Sequence, residues 1–210
     1  MRISWRLASR FSVITLALLV VIIVAFWSAR PGNGGASATS PNPLGLQGTD
    51  LGSQLAPDFH LTDQFNQPVA LSQFRGQPVV LTFLYTHCPD ACPLIAEKLH
   101  TTQVQLGKDA SHVVMLAVSM DPTGDTKASV LAFSQAHKLN SNWHYLLGTH
   151  EQLAPVWNAY SIYAQPTATK VTHTSAIYLI DAEGHERIFF SDDFTSTQLT
   201  NDLKILLNGE

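Results

Sequence analysis

The sequence predicts an α/β domain, and three observations carry that expectation. Residues 78–85 (PVVLTFLY) and 112–120 (HVVMLAVSM) are nearly continuous apolar runs, as strands buried on both faces should be. Segments between and after them space their apolar residues as helices do. Near the C-terminus, a strand at 175–180, a turn at 181–184 and a strand at 187–190 precede a last helical stretch. Strands alternating with helices imply a sheet joined by crossover helices.

The chain has 210 residues, 45% hydrophobic and 13% charged, enough for one domain and an added segment. The added segment is at the start. Residues 11–27 (FSVITLALLVVIIVAFW) carry no charge and only Ser12 and Thr15 as polar side chains. A spanning helix needs about 17–25 apolar residues, and this run meets the lower bound. Arg2, Arg6 and Arg10 precede it and Arg30 follows. The positive-inside rule then keeps residues 1–10 in the cytoplasm and exports the rest, as a single-pass protein of a bacterial inner membrane. A cleaved signal peptide shares the basic start, but its apolar core is shorter, about 7–15 residues. Both readings export the domain. Residues 31–50 (PGNGGASATSPNPLGLQGTD) bury too little to fold and read as a flexible tether.

Residues 51–210 form the domain. Residues 59–61 and 68–71 flank a polar stretch and predict a hairpin. The strand at 78–85 runs into Thr86-His87-Cys88-Pro89-Asp90-Ala91-Cys92-Pro93, and a helix continues from there on Leu94, Ile95, Leu99, Val104 and Leu106. After the strand at 112–120 come a polar turn, a helix over 126–139, a short strand at 143–147 and a helix over 151–160 containing Pro155. The terminal hairpin and a helix over 195–207 close the domain. This order matches the thioredoxin architecture, here with an N-terminal β-hairpin extension.

The domain carries eight basic and fifteen acidic side chains, which argues against a nucleic-acid partner. Its two cysteines are close in sequence, unlike the dispersed sets of disulfide scaffolds. Pro89 fits the first helical position, which puts Cys88 at the helix N-cap and Cys92 one turn on, on the same face. A helix N-terminus favours thiolate, the form that is both nucleophile and metal ligand; Asp90 opposes it. Two thiolates suit Cu(I), Cu(II) adds a nitrogen, and zinc takes four ligands, so the pair alone leaves the metal open. Export leaves dithiol–disulfide cycling open as well.

All nine histidines lie in this domain. His60, His100, His112, His137, His144, His150 and His185 read as structural. His87 adjoins Cys88, but on an extended segment its side chain points away. His173 precedes the strand at 175–180. In a thioredoxin-like fold the loop before that strand packs against the cysteine turn, where thioredoxins place a cis-proline.

These residues resemble the Sco/SenC family of copper proteins. The cysteine segment from Tyr85 to Pro93 resembles its signature. So do Phe59-His60-Leu61-Thr62-Asp63, Leu71-Ser72-Gln73-Phe74-Arg75-Gly76, Val118-Ser119-Met120-Asp121-Pro122 with Asp125-Thr126, and His173-Thr174-Ser175 leading to Tyr178-Leu179-Ile180-Asp181. The resemblance implies a tethered copper chaperone that binds Cu(I) or Cu(II) through Cys88, Cys92 and His173. It also implies help in assembling the dinuclear copper site of cytochrome c oxidase subunit II, or service to another exported client, with an upstream copper donor. The family's acidic residue before the metal histidine is replaced here by Val171-Thr172. Asp121 and Asp125 read as turn and helix caps, with an electrostatic role as the lesser reading.

Two alternatives share the cysteines. A thiol–disulfide oxidoreductase would use Cys88 and Cys92 as a redox pair without His173, although three residues separate them where thioredoxin-type catalysts have two. A peroxidase-like relative needs an Arg near the reactive Cys, and Arg75 and Arg187 are distant in sequence.

Overall fold

The computed structural model describes residues 44–139, 142–166, 171–173 and 175–208, with Leu19 alone ahead of them. The chain forms two units, Met1–Ser40 and Pro41–Glu210. The anchor read over 11–27 falls in the first unit and, Leu19 apart, lies outside the described residues. Among the described residues no helix is long and apolar enough to cross a membrane.

The centre of the second unit is three parallel strands: β4 (Val79–Leu84), β5 (Val114–Ser119) and β6 (Trp143–Leu147). Every residue of β4 and β5 is buried, as their unbroken apolar sequence requires. The crossovers are α1 (Ala91–Leu106) and α2 (Lys127–Ala136). Both connections step the same way across the sheet, so right-handed crossing puts both helices on one face. Thr126 caps α2, its hydroxyl accepting the Ser129 N–H at 3.1 Å. The strand read from His112 starts later, because Gly107–His112 forms a 3₁₀ turn first.

Five further strands complete an eight-stranded sheet: β1 (Thr49–Leu55), β2 (His60–Asp63), β3 (Pro68–Ala70), β9 (Ile177–Ile180) and β10 (His185–Phe190). The order is β1-β10-β9-β4-β5-β6-β2-β3. The expected hairpin is β2–β3, and β2 also pairs with β6, so the hairpin forms one edge of the sheet. The helix α3 (His150–Ala159) continues through Pro155, at the cost of the hydrogen bond to the Glu151 carbonyl. The last helix, α4 (Ser196–Asn208), packs beside α1. Mixed parallel and antiparallel strands with these helices make the fold thioredoxin-like.

Residues 44–50, the end of the stretch read as a tether, are part of the second unit. Leu46 is buried, and the Gln47 N–H donates to both carboxylate oxygens of Asp202 on α4 at 2.9 Å. Gly48 has φ +97°, and a Cβ there would meet the Phe190 and Ile188 side chains and the Phe189 carbonyl at 2.7–2.9 Å. Thr49 and Asp50 then pair with β10. Backbone pairing, rather than an apolar face, holds this edge strand.

Topology brings three loops to one end of the sheet. Thr82 of β4 lies opposite Ile177 of β9, whereas Val79 lies opposite Ile180. The chain therefore enters β9 beside the exit of β4. Leu84 is level with Ser119, so β5 exits there too. Loops at the carboxyl ends of parallel strands are the usual site of chemistry in open α/β sheets.

Candidate metal centre

The cysteine turn begins where β4 ends. The Cys88 N–H donates to the Tyr85 carbonyl at 3.3 Å, closing a turn that keeps Cys88 and Pro89 out of the helix. Asp90 is the N-cap and Ala91 the first residue of α1, which corrects the expected helix start at Pro89. Pro93 is the proline in the helical first turn, where a missing N–H leaves no intrahelical bond unmade. Cys88 still serves the helix end. Its sulfur accepts the main-chain N–H of Cys92 at 3.4 Å.

The two cysteines form no disulfide, with Cys88 8% exposed and Cys92 fully buried. The neighbouring Cys88 side chain, together with burial, pushes the Cys92 thiol far above the ordinary range. The Tyr85 main-chain N–H opposes the shift, and the Asp125 charge adds to it. The thiolate-favouring helix terminus expected from sequence therefore does not prevail at Cys92. Cys88, the more exposed sulfur, is the one an incoming group meets first. Tyr85 is pushed up as well, first by burial and then by its hydrogen bond to Cys88.

Behind the turn lies a buried carboxylate. Asp125 Oδ1 accepts the Thr86 N–H at 2.8 Å and the Thr86 hydroxyl at 2.7 Å. Its Oδ2 accepts the Ser119 hydroxyl at 2.6 Å and the Tyr145 hydroxyl at 3.3 Å. Burial, the largest influence, raises its pKa, and these donors pull it back. Asp125 thus ties the end of β5 and a residue of β6 to the start of the cysteine turn, and it caps no helix. Asp121 does make a turn, accepting the Gly124 N–H at 2.8 Å and the Thr123 N–H at 3.2 Å. Sequence reasoning does not single out Thr86, Ser119 or Tyr145; two of them stand inside the matched motifs.

His173 is the last residue of β8 (Val171–His173), which pairs with β7 (Ala164–Pro166), His173 opposite Ala164. The chain passes from His173 into Ala176, whose carbonyl accepts the Thr82 hydroxyl at 3.0 Å. His173 is therefore three residues from a bond to β4, at the end of the sheet where Cys88 lies. Its backbone alone is described. Among the described residues no three His, Cys, Asp or Glu side chains converge as a metal site. The two adjacent unoxidised sulfurs by themselves fit a soft cation such as Cu(I).

Four other histidines have local partners. His87 is exposed, its Nδ1 3.2 Å from the Thr86 hydroxyl. His144 pairs with buried Asp63 at 3.1 Å, and His185 with Asp181 at 3.3 Å. His137 stacks on Phe133, centroids 4.5 Å apart, and burial lowers its pKa.

The chain is similar to known proteins in sequence and fold. Residues 47–208 match the family model described as SCO1/SenC. The bovine protein SCO2 homolog, mitochondrial, is 33% identical over 155 residues, covering 70% of this chain and 58% of its own length. The chain thus spans little more than half of that relative. The copper-bound structure of Bradyrhizobium japonicum ScoI is 31% identical with a TM-score of 0.65, covering 72% of this chain and 99% of that one. Copper-bound Arabidopsis thaliana ScoI is 25% identical with a TM-score of 0.65, covering 73% and 99%.

Proposed function

The chain belongs to the SCO1/SenC family, and from that membership we propose that it is a copper metallochaperone. Copper is its cargo, held by Cys88, Cys92 and His173. Its client is the dinuclear copper site of cytochrome c oxidase subunit II. What supports the reading is the pair of cysteines at the start of α1, in no disulfide, with the Cys92 main-chain N–H donating to the Cys88 sulfur; His173 joins them from the family resemblance. The copper-bound Bradyrhizobium and Arabidopsis relatives support it. Residues 11–27 anchor the protein in the inner membrane, with residues 1–10 in the cytoplasm and the domain on the periplasmic face.

Binding the metal displaces thiol protons, so uptake is coupled to their release. The raised Cys92 thiol makes that coupling strong near neutral pH. The test is to load the full chain with Cu(I) and measure the ratio of copper to protein. One copper per chain is expected, lost in Cys88→Ser and in Cys92→Ser. Undiminished copper in both variants would remove the cysteines from the site.

The Cys88 sulfur beside the Cys92 main-chain N–H, one helical turn from the second thiol and in no disulfide, favours a second reading, thiol–disulfide exchange. Cys88 would attack a client disulfide and Cys92 would resolve the mixed disulfide. Two electrons and two protons pass to the client, which leaves as a dithiol while Cys88 and Cys92 become a disulfide. Reduction of a client peptide by the metal-free protein, with activity retained in His173→Ala, distinguishes this role.

A further inference from the structure

Ser119 is the one polar residue of β5, fully buried at the strand's last position and level with Leu84 at the end of β4. Alanine would complete the apolar run in nearly the same volume, so the hydroxyl calls for a reason of its own. It donates to Asp125 Oδ2 at 2.6 Å and accepts the Asp121 N–H at 3.1 Å. The Ser119 carbonyl accepts the indole N–H of Trp157, on α3, at 3.0 Å. Trp157 is 3% exposed, a large buried ring with its donor satisfied. Ser119 is thus fixed from α3 on one side and holds one oxygen of Asp125 on the other. The second oxygen of that carboxylate takes both Thr86 donors. Thr86 stands two residues before Cys88.

We infer that Ser119, braced by Trp157, is a positioning residue for the cysteine turn, acting through Asp125 to keep Cys88 covered. A carboxylate turns about its Cβ–Cγ bond unless an oxygen is held. Ser119 holds Oδ2 by a short bond, and Oδ1 then faces the Thr86 N–H and hydroxyl. Without the Ser119 hydroxyl, only the Tyr145 hydroxyl at 3.3 Å holds Oδ2, a longer and weaker bond. A buried network is rigid when every member is satisfied, and removing one loosens the rest. Thr86 then loses its fixed acceptor and the turn opens. Cys88 lies in that turn, whereas Cys92 lies within α1. Ser119 therefore governs the sulfur that an incoming group meets first. The inference rests on the cysteines being the working groups, which both readings share, and not on the cargo.

The test treats the full chain in mild detergent, reduced and metal-free, with iodoacetamide, as wild type and as Ser119→Ala. Mass spectrometry gives the alkylation rate at each cysteine, and amide hydrogen exchange gives the protection of the Thr86 N–H. Cys88 alkylation and Thr86 exchange should each rise about tenfold, the effect of one lost buried hydrogen bond, while Cys92 alkylation is unchanged. Added to Asp125→Ala, the same substitution should change neither rate, because Ser119 acts through that carboxylate. Equal Cys88 rates in wild type and Ser119→Ala overturn the inference. So does a rise that persists on top of Asp125→Ala, or a Cys92 rate that climbs in step with Cys88, the mark of general unfolding. If Ser119→Ala does not fold, Trp157→Phe removes the brace and keeps most of the ring; it should raise Cys88 alkylation about threefold, and an unmoved rate there overturns the inference. Copper takes no part in these assays, so a chain that binds none overturns the chaperone reading alone.

Discussion

Replacing Asp125 should loosen the cysteine turn more than its distance along the chain suggests. Its carboxylate takes four hydrogen bonds, two from Thr86, one from Ser119 and one from Tyr145. Asp125→Ala strands all four donors in a buried setting. The Thr86 and Ser119 hydroxyls can turn toward other acceptors. The Thr86 N–H and the Tyr145 hydroxyl have less freedom, the first fixed by its backbone and the second by a ring that is fully buried. At about 1–3 kcal/mol for each stranded donor, the variant should lose about 3–5 kcal/mol. That is a large share of an ordinary domain's stability of about 5–15 kcal/mol. Asp125→Asn keeps one acceptor oxygen for Thr86 and offers an amide to the Ser119 and Tyr145 oxygens, so it should lose about 1–2 kcal/mol. Urea unfolding of the full chain in mild detergent, followed by circular dichroism, measures both. An Asp125→Ala protein within about 1 kcal/mol of wild type would show that the four bonds do not hold the turn, since stranded buried donors cost at least that much. The pH trend adds a second check. The folded carboxyl is raised above the ordinary 3.8. Its contribution is therefore fully present below that value and is lost as pH rises through the folded pKa. The gap between wild type and Asp125→Asn should narrow as pH rises.

Other predictions concern separate parts of the molecule. Burial pushes Asp202 up to about 6, against the pull of the Gln47 N–H. Its stabilising share is complete below 3.8 and is lost as pH rises through about 6. Between about pH 4 and pH 7 wild type should lose about 1–3 kcal/mol relative to Asp202→Asn, read from urea midpoints across that range. Iodoacetamide on the reduced, metal-free chain should modify Cys88 well before Cys92, since Cys88 is 8% exposed and Cys92 is fully buried with its thiol pushed upward. Mass spectrometry of the singly alkylated protein decides this, and equal labelling would contradict the assigned order of attack.

The parts of this molecule that are legible in sequence are those whose chemistry is local. The strands β4 and β5 announce themselves because each is a buried run, and β6 falls at residues 143–147 as expected. The strand β1 does not, because most of it is exposed and it is held by β10, far along the chain. Its only local cue is Gly48, whose need for φ +97° and for no side chain shows once Phe190 and Ile188 are packed against it. Sequence misplaces the start of α1 because Pro89 and Pro93 both suit a helix first turn, and the bond from Cys88 to Tyr85 decides between them. The cysteine pair is legible from its spacing and setting. Asp125 reads as a cap in sequence because its partners Thr86 and Tyr145 lie 39 and 20 residues away. Ser119 is hidden there as the last residue of an apolar run.

The chaperone role depends on His173 joining Cys88 and Cys92 on one copper ion. The absorption spectrum of the Cu(II)-loaded full chain, beside that of His173→Ala, reports on this directly. A thiolate-to-copper band is expected in wild type and should be lost or strongly altered in the variant, while Cu(I) binding through the two sulfurs persists. An identical band in both proteins would contradict the ligand set and leave the cysteines without their proposed imidazole partner.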